Sequence, residues 1–234
     1  MERIPPLLLA SLVTSTAGIV LSVAYIYLPT NPINSLDGIT LWLVFTAISL
    51  LGAMVTLMPH LCSQSFMSHS KLDPSRYTMI RGFKLIHGHH PDCVEFEHHE
   101  FRYSGRRYCA GCIGLFVGAL IAVVIASSYL LFGWEGWPIK LGYLGATSVV
   151  TVLGLLTFTS VSKPVLRALF NVILVVGFSL IVISVAKNGG LLRGLIAIGL
   201  CVFWMSTRIQ ISQWSHNRVC AICDEECEEK IVEN

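Results

Sequence analysis

Five stretches without a single Asp, Glu, Lys or Arg restrict what this chain can fold into: Ile4–Leu36, Gly38–Ser70, Ile113–Trp134, Leu141–Ser162 and Ala168–Ala186. A membrane-spanning helix needs about 20 apolar residues, and each stretch can hold one. A weaker sixth span runs from Leu191 to about Gln210, with Arg193 and Arg208 near its ends, where long cationic side chains can snorkel to the headgroups. Only 13% of the residues are charged, against about 25% in soluble domains. The expected fold class is therefore an all-α membrane protein of about six transmembrane helices. The spans are placed near Pro6–Leu28, Ile39–Met58, Ile113–Phe132, Ile139–Phe158, Val165–Ala186 and Leu191–Gln210. The resulting organisation is helices 1 and 2 in residues 1–58, a water-facing loop in 59–112, helices 3 to 6 in 113–211, and a Cys-rich acidic tail in 212–234.

With six spans, one face carries Arg3, Lys71, Arg76, Arg81, Lys84, Arg102, Arg106, Arg107, Lys163, Arg167, Arg208, Arg218 and Lys230, and the other only Lys140, Lys187 and Arg193. Basic residues concentrate on cytoplasmic loops, so both termini and the central loop are expected in the cytoplasm and the protein in the plasma membrane. The start of the chain also has the elements of a secretory signal, with Arg3, an apolar run and small residues at Ser15–Gly18. Its apolar stretch continues past a typical signal core to Leu28, which favours an uncleaved first span. Seven of the eight cysteines, all but Cys201, fall at or beyond the expected cytoplasmic boundary. Thiols there stay reduced, so paired cysteines point to metal or redox chemistry before disulfides.

The pattern richest in chemistry is His90-Pro-Asp-Cys93, then fifteen residues, then Cys109-Ala-Gly-Cys112, which leads straight into the third span. Two pairs of thiolate or imidazole ligands, each with two residues between, are how a chain wraps a tetrahedral zinc ion. The segment from Val94 to Tyr108 shows broken alternation with Ser104-Gly105 as a turn, so it reads as a β-hairpin. Knuckle, hairpin and second knuckle together make a small zinc-ribbon-like insertion. A water-facing piece of this size has little core of its own, and bound metal is a usual staple. His87 is an alternative ligand to His90 if the first knuckle is wider.

A second constellation is His216-x3-Cys220-x2-Cys223-x3-Cys227 in the tail. These residues can close another tetrahedral site, with zinc the first expectation and iron the less favoured metal. An iron–sulfur cluster lacks its usual fourth cysteine, and an unstructured tail of unligated thiols is the bland alternative. Loop and tail share a face, so their ligands can mix, with Cys62 joining. Among the other histidines, His98 and His99 alternate with Glu95, Glu97 and Glu100, while His60, His69, His87 and His89 lie upstream. Membrane hydroxylases hold non-haem iron with His boxes on helices. On a hairpin, neighbouring side chains point to opposite faces, so His98 and His99 converge poorly. Cys109-Ala-Gly-Cys112 at a helix start also fits a redox pair, but the βαβ context of that motif is missing. No carboxylate, lysine or histidine lies deep in a span, and Asn171 is the most polar group there, unlike ion-coupled transporters.

Gly111, Gly114 and Gly118 lie along one side of the third span in a small-residue packing pattern, which suits packing within one bundle or between subunits. The stretch His87–Leu120 resembles a family of small, uncharacterised, archaeal-type prokaryotic membrane proteins. That family carries a Cys/His element, an aromatic and basic stretch, and a Cys-x-Arg-Cys-x-Gly motif entering a membrane helix. The matching residues are His89-His90-Pro91-Asp92-Cys93 and Arg107-Tyr108-Cys109-Ala110-Gly111-Cys112-Ile113-Gly114. Gly111 stands where the family has arginine, and the first knuckle orders its ligands differently. The resemblance implies a metal-binding membrane protein and brings no activity with it. The expected function is a non-enzymatic platform or subunit at the cytoplasmic face, with lipid and protein partners and no nucleic acid. The competing expectations are a membrane metalloenzyme using the His/Glu cluster on a lipid-like substrate, and a metal sensor or transfer protein.

Overall fold

The computed structural model describes residues 4–28, 33–57, 77–80, 83–86, 94–133, 138–159, 161 and 163–222. Five helices dominate: α1 (Pro6–Tyr27), α2 (Ser35–Leu57), α3 (Ala110–Phe132), α4 (Pro138–Phe158) and α5 (Pro164–Ile222). All five are long and apolar enough to cross a membrane. Their ends follow local chemistry. Proline opens α1 where its missing N–H costs nothing, and Asn34 accepts the Asp37 amide at 2.8 Å as the N-cap of α2. Between α2 and α3 lie two antiparallel hairpins, β1 (Tyr77–Ile80) with β2 (Phe83–Ile86), and β3 (Glu100–Tyr103) with β4 (Arg106–Cys109). Arg106 joins them by donating to the Thr78 hydroxyl at 2.9 Å.

The 59-residue α5 is interrupted once, at Gly190, whose φ of 69° and ψ of −167° belong to a region that only glycine enters without strain. Beyond it the chain runs back antiparallel to itself. Gly194 sits against Ala186, Cys201 approaches the Phe178 carbonyl, Trp204 stacks on Phe178 at 5.9 Å, and Arg208 bonds Asn171. The two arms, residues 164–189 and 191–222, are the centre of the bundle. Helices α1, α3 and α4 all pack on α5, and α2 packs chiefly on α3, to which Trp42 donates a bond at Ser127 (3.0 Å).

Side-chain contacts also fix direction. The start of α1 lies beside the end of α5, through Ser11 with Gln210 and Ser15 with Thr207, both 3.0 Å. The end of α1 meets the turn of α5, where Asn188 and Arg193 donate to the Ile26 and Leu28 carbonyls at 2.9 and 2.6 Å. Arg193 also covers the Tyr25 ring. A cation over the last carbonyls of a helix satisfies groups that lipid cannot. The start of α4 is at this same end, where Ser184 donates to the Pro138 carbonyl. Consequently the start of α1, the start of α3, both ends of α5 and the second hairpin gather at the opposite end, called here the hairpin end.

Small residues allow the close contacts. Gly114 has the Ala168 backbone where a β-carbon would be, and Gly118 has Val172 Cα and Val175 Cβ at 3.1 Å. The glycine side of α3 is thus covered by α5 of the same chain and is not open to a second copy. Along α1, Ser11, Ser15, Gly18 and Ser22 are all buried, and Trp204 fills the space beside Gly18 and donates to the Ser15 carbonyl at 3.2 Å. Outward positions such as Leu7, Val13, Leu131 and Phe158 are exposed and apolar, as a lipid-facing surface requires.

Three details differ from the sequence expectation. The hairpin does not begin at Val94: Val94–His99 is a turn of 3-10 helix, and pairing starts at Glu100 opposite Cys109. Three residues per turn eclipse positions i and i+3, which sets Phe96 and His99 in one row, and both are buried. The reversal falls at Ser104-Gly105 as read, with φ of 49° and 74°, the left-handed pair that matches strand twist. Second, Ser212 does not begin a separate tail, because α5 continues to Ile222. No glycine or proline stands between Arg208 and Ile222, and Ile211 and His216 remain buried along it. Third, β1 and β2 form another hairpin within the water-facing loop read at 59–112.

A valine at Gly114 must displace the Ala168 backbone, whereas Gly154 has nothing within 4 Å. Gly114→Val should therefore cost about 1–3 kcal/mol and lower the thermal midpoint in detergent, while Gly154→Val, which shares its propensity cost, leaves it nearly unchanged.

Candidate functional site

The polar side chains of the hairpin end converge where β4 becomes α3. Cys109 closes the hairpin in extended conformation (φ −66°, ψ 119°) and is the residue before the first helical turn. Cys112 is the third residue of that turn. Both thiols therefore stand at a helix N-terminus, where unsatisfied amides favour negative charge. Cys109 is buried at 5% exposure and Cys112 partly so. Of the second cysteine pair in the sequence reading, Cys109 is thus a strand end and Cys112 part of the first turn of α3.

The first knuckle, His90 and Cys93, lies outside the described residues, as do His60, Cys62, His69, His87, His89, Cys223 and Cys227. Of the tail constellation, His216 and Cys220 are on α5, one helical turn apart. Among the described residues, no group of three or more His, Cys, Asp or Glu side chains gathers as a metal site.

What does gather is a chain of polar groups on the first and second arms of α5. Asn171, fully buried, donates from Nδ2 to the Arg167 carbonyl and accepts from Arg208 Nε, both at 2.7 Å. Its short side chain thereby satisfies its own helix and ties the arms together. Arg208 then reaches α3. The point a β-carbon on Gly111 would occupy is 2.9 Å from Arg208 Nη2, and 3.8 Å from both Asn171 Nδ2 and Cys109 Sγ. Arg208 is in electrostatic range of Cys112 and Cys109, and Arg167 of Arg208 and Cys109. A guanidinium stays charged in any protein setting, so two of them side by side call for negative charge nearby.

Arg167 holds the loop down. Its Nη2 lies 3.1 Å from His99 Nε2 and donates to the Val161 carbonyl at 3.4 Å, while its buried Nε has no hydrogen-bond partner among the described residues. Phe96, 1% exposed, is the apolar anchor of the same turn. Its ring lies 5.3 Å from His99, edge-on, and 4.5 Å from His216 on α5. His98 and Glu97 are exposed, and Glu97 pairs with Arg102 on the surface at 2.6 Å. His98 and His99 therefore point apart, although on a 3-10 turn rather than on the hairpin where they were read. Such divergence does not suit an iron centre built on both.

Sequence reasoning missed Arg167 and Arg208 as cationic neighbours of the cysteines, and Phe96 as the buried anchor beside His216. Asn171 was visible as the most polar residue within a span. Arg208 was explained there as a snorkelling end group, whereas it turns inward onto Asn171 and Gly111. No protein-family model, curated protein or solved structure matches the chain. The resemblance of His87–Leu120 accordingly rests on its motif residues alone.

Replacing Asn171 by Leu strands Arg208 Nε in an apolar setting and should cost about 1–3 kcal/mol. Combined with Arg208→Met the loss should be smaller than the sum, by about 0.5–3 kcal/mol, in a double-mutant cycle of unfolding in mixed micelles. Phe96→Ala should cost about 3–5 kcal/mol of local stability, read as faster limited proteolysis between Val94 and Arg107 with the helical signal preserved.

Proposed function

We propose that this chain is a zinc-binding polytopic membrane protein, and that its cytoplasmic face is a non-enzymatic platform for a protein partner or a membrane complex. The observation that carries the reading is the placement of Cys109 at the end of β4 and Cys112 in the first turn of α3. A knuckle in that position turns a small hairpin into a rigid extension of a membrane helix. His90 and Cys93 supply the other two ligands. Four thiolate or imidazole ligands close a zinc ion without an open coordination position, which fits a structural role and leaves no place for substrate. His216, Cys220, Cys223 and Cys227 form a second site, with its first two ligands one turn apart on α5.

The membrane arrangement follows from the same logic. Both arms of α5 cross the bilayer, giving six crossings, with both termini on the side of the hairpins. Arg102, Arg106, Arg107, Lys163, Arg167, Arg208 and Arg218 are at the hairpin end, against Lys140, Lys187 and Arg193 at the other. That bias supports a cytoplasmic hairpin end.

Elemental analysis of the detergent-purified protein should find about two zinc ions per chain, one lost in Cys109→Ser and the other in Cys220→Ser. Iron in place of zinc, or full zinc retention by Cys109→Ser, would sink the reading.

A further inference from the structure

Zinc–thiolate centres that a protein holds tightly have donors aimed at their sulfurs, because a zinc-bound thiolate still accepts hydrogen bonds and is otherwise open to protonation and loss. The bundle supplies such a donor from a distant part of the chain. Arg208 is fixed at Nε by Asn171, which leaves its Nη groups directed at α3. They arrive at Gly111, between the two cysteines, and the absence of a side chain there is what permits the approach: Nη2 is 2.9 Å from the missing β-carbon. Cys109 Sγ is within 3.8 Å of the same point, and the electrostatic partners of Arg208 on α3 are Cys112 and Cys109. Three features thus converge on one place: a buried asparagine that sets the guanidinium, a glycine that admits it, and the Cys109 sulfur beside that glycine.

We propose that Arg208 is the positioning residue of the Cys109/Cys112 half of the metal centre, donating to the bound thiolates and balancing their charge, with Asn171 and Gly111 setting its reach. This inference rests on the reading that Cys109 and Cys112 ligate zinc. It assigns the second arm of α5 a part in metal retention. Arg167, behind Arg208 and in range of Cys109, adds to the positive field but is engaged with His99 and the Val161 carbonyl.

The test uses the full chain in detergent, loaded with cobalt(II) in place of zinc. Two signals are followed, the sulfur-to-cobalt charge-transfer absorption and the rate of metal loss to a chelator. In Arg208→Gln the tetrahedral cobalt bands should remain, the charge-transfer band should shift, and metal should leave about 10–100 times faster. Arg208→Lys, which keeps a cationic donor, should recover much of the slow loss. Gly111→Ala keeps every donor and suits a helix, yet pushes Nη2 aside, so it should behave like Arg208→Gln. An Arg208→Gln protein with the spectrum and loss rate of the wild type overturns the inference while leaving the zinc reading intact. If Arg208→Gln does not fold, unchanged behaviour of Gly111→Ala overturns it equally. A wild type with no thiolate–cobalt band removes the zinc reading, and this inference with it.

Discussion

Within hydrocarbon a polar group has no water to turn to, so each must find its partner in the protein. The fold-back of α5 at Gly190 meets that condition for most of the bundle. It brings a first arm carrying Asn171, Ser179 and Ser184 against a second arm carrying Trp204, Thr207 and Arg208, all deep in the packing or turned into it. Ser179, Ser184 and Thr207 also bond carbonyls one turn back in their own arm, and α1 answers two groups of the second arm. Ser15 takes both Thr207 and, through its carbonyl, the Trp204 indole. Without the positive φ of Gly190 neither arm would have the other to face, and α1, α3 and α4 would lose the surface they share.

Association of helices in lipid gains little from the hydrophobic effect, because tails are as apolar as leucine. Close backbone approach and a few polar ties must do the work instead, and this molecule uses both at separate levels. In the middle of the bundle the contacts are made by small residues: Gly118 on Val172 and Gly145 on Gly177. At the two ends they are made by long polar side chains, Arg193 over the last carbonyls of α1 and Arg208 across to α3. The surface pair Glu97–Arg102 belongs to neither class; half exposed on both sides, it contributes on the order of a few tenths of a kcal/mol.

The helices were legible because charge-free length is a direct physical requirement of the bilayer, and it placed α1 to α4 and the first arm of α5 within a few residues. The turn at Ser104-Gly105 was legible for the same kind of reason, since few residues accept φ above zero. The 3-10 turn was not. It accompanies the burial of Phe96 and His99 against α5, through contacts with His216 and Arg167 too distant in sequence for alternation to register. The extent of α5 was missed because polarity after Gln210 looked like a tail, when the absence of any helix breaker was the better guide. As for the site, spacing marked Cys109 and Cys112, while their cationic neighbours come from α5 and leave no local pattern. The resemblance leads one to expect an arginine where Gly111 stands. The guanidinium that reaches that place belongs to Arg208.

The second hairpin is too small to hold itself together. Four-residue strands with an exposed tip at Tyr103 bury little, and a lone two-stranded hairpin is marginal in water. It is held instead at three points: Phe96 inserted beside His216, Arg167 against His99, and the covalent run of β4 into α3. The first two points are on opposite arms of α5, and the third is on the helix that α5 packs against. Whatever moves the arms of α5 relative to α3 must therefore move the hairpin, and a ligand that stiffens Cys109 and Cys112 must resist that movement. On the proposed reading, a metal at Cys109 and Cys112 would stiffen the junction through which β4 runs covalently into α3, which a staple elsewhere along the loop would not do.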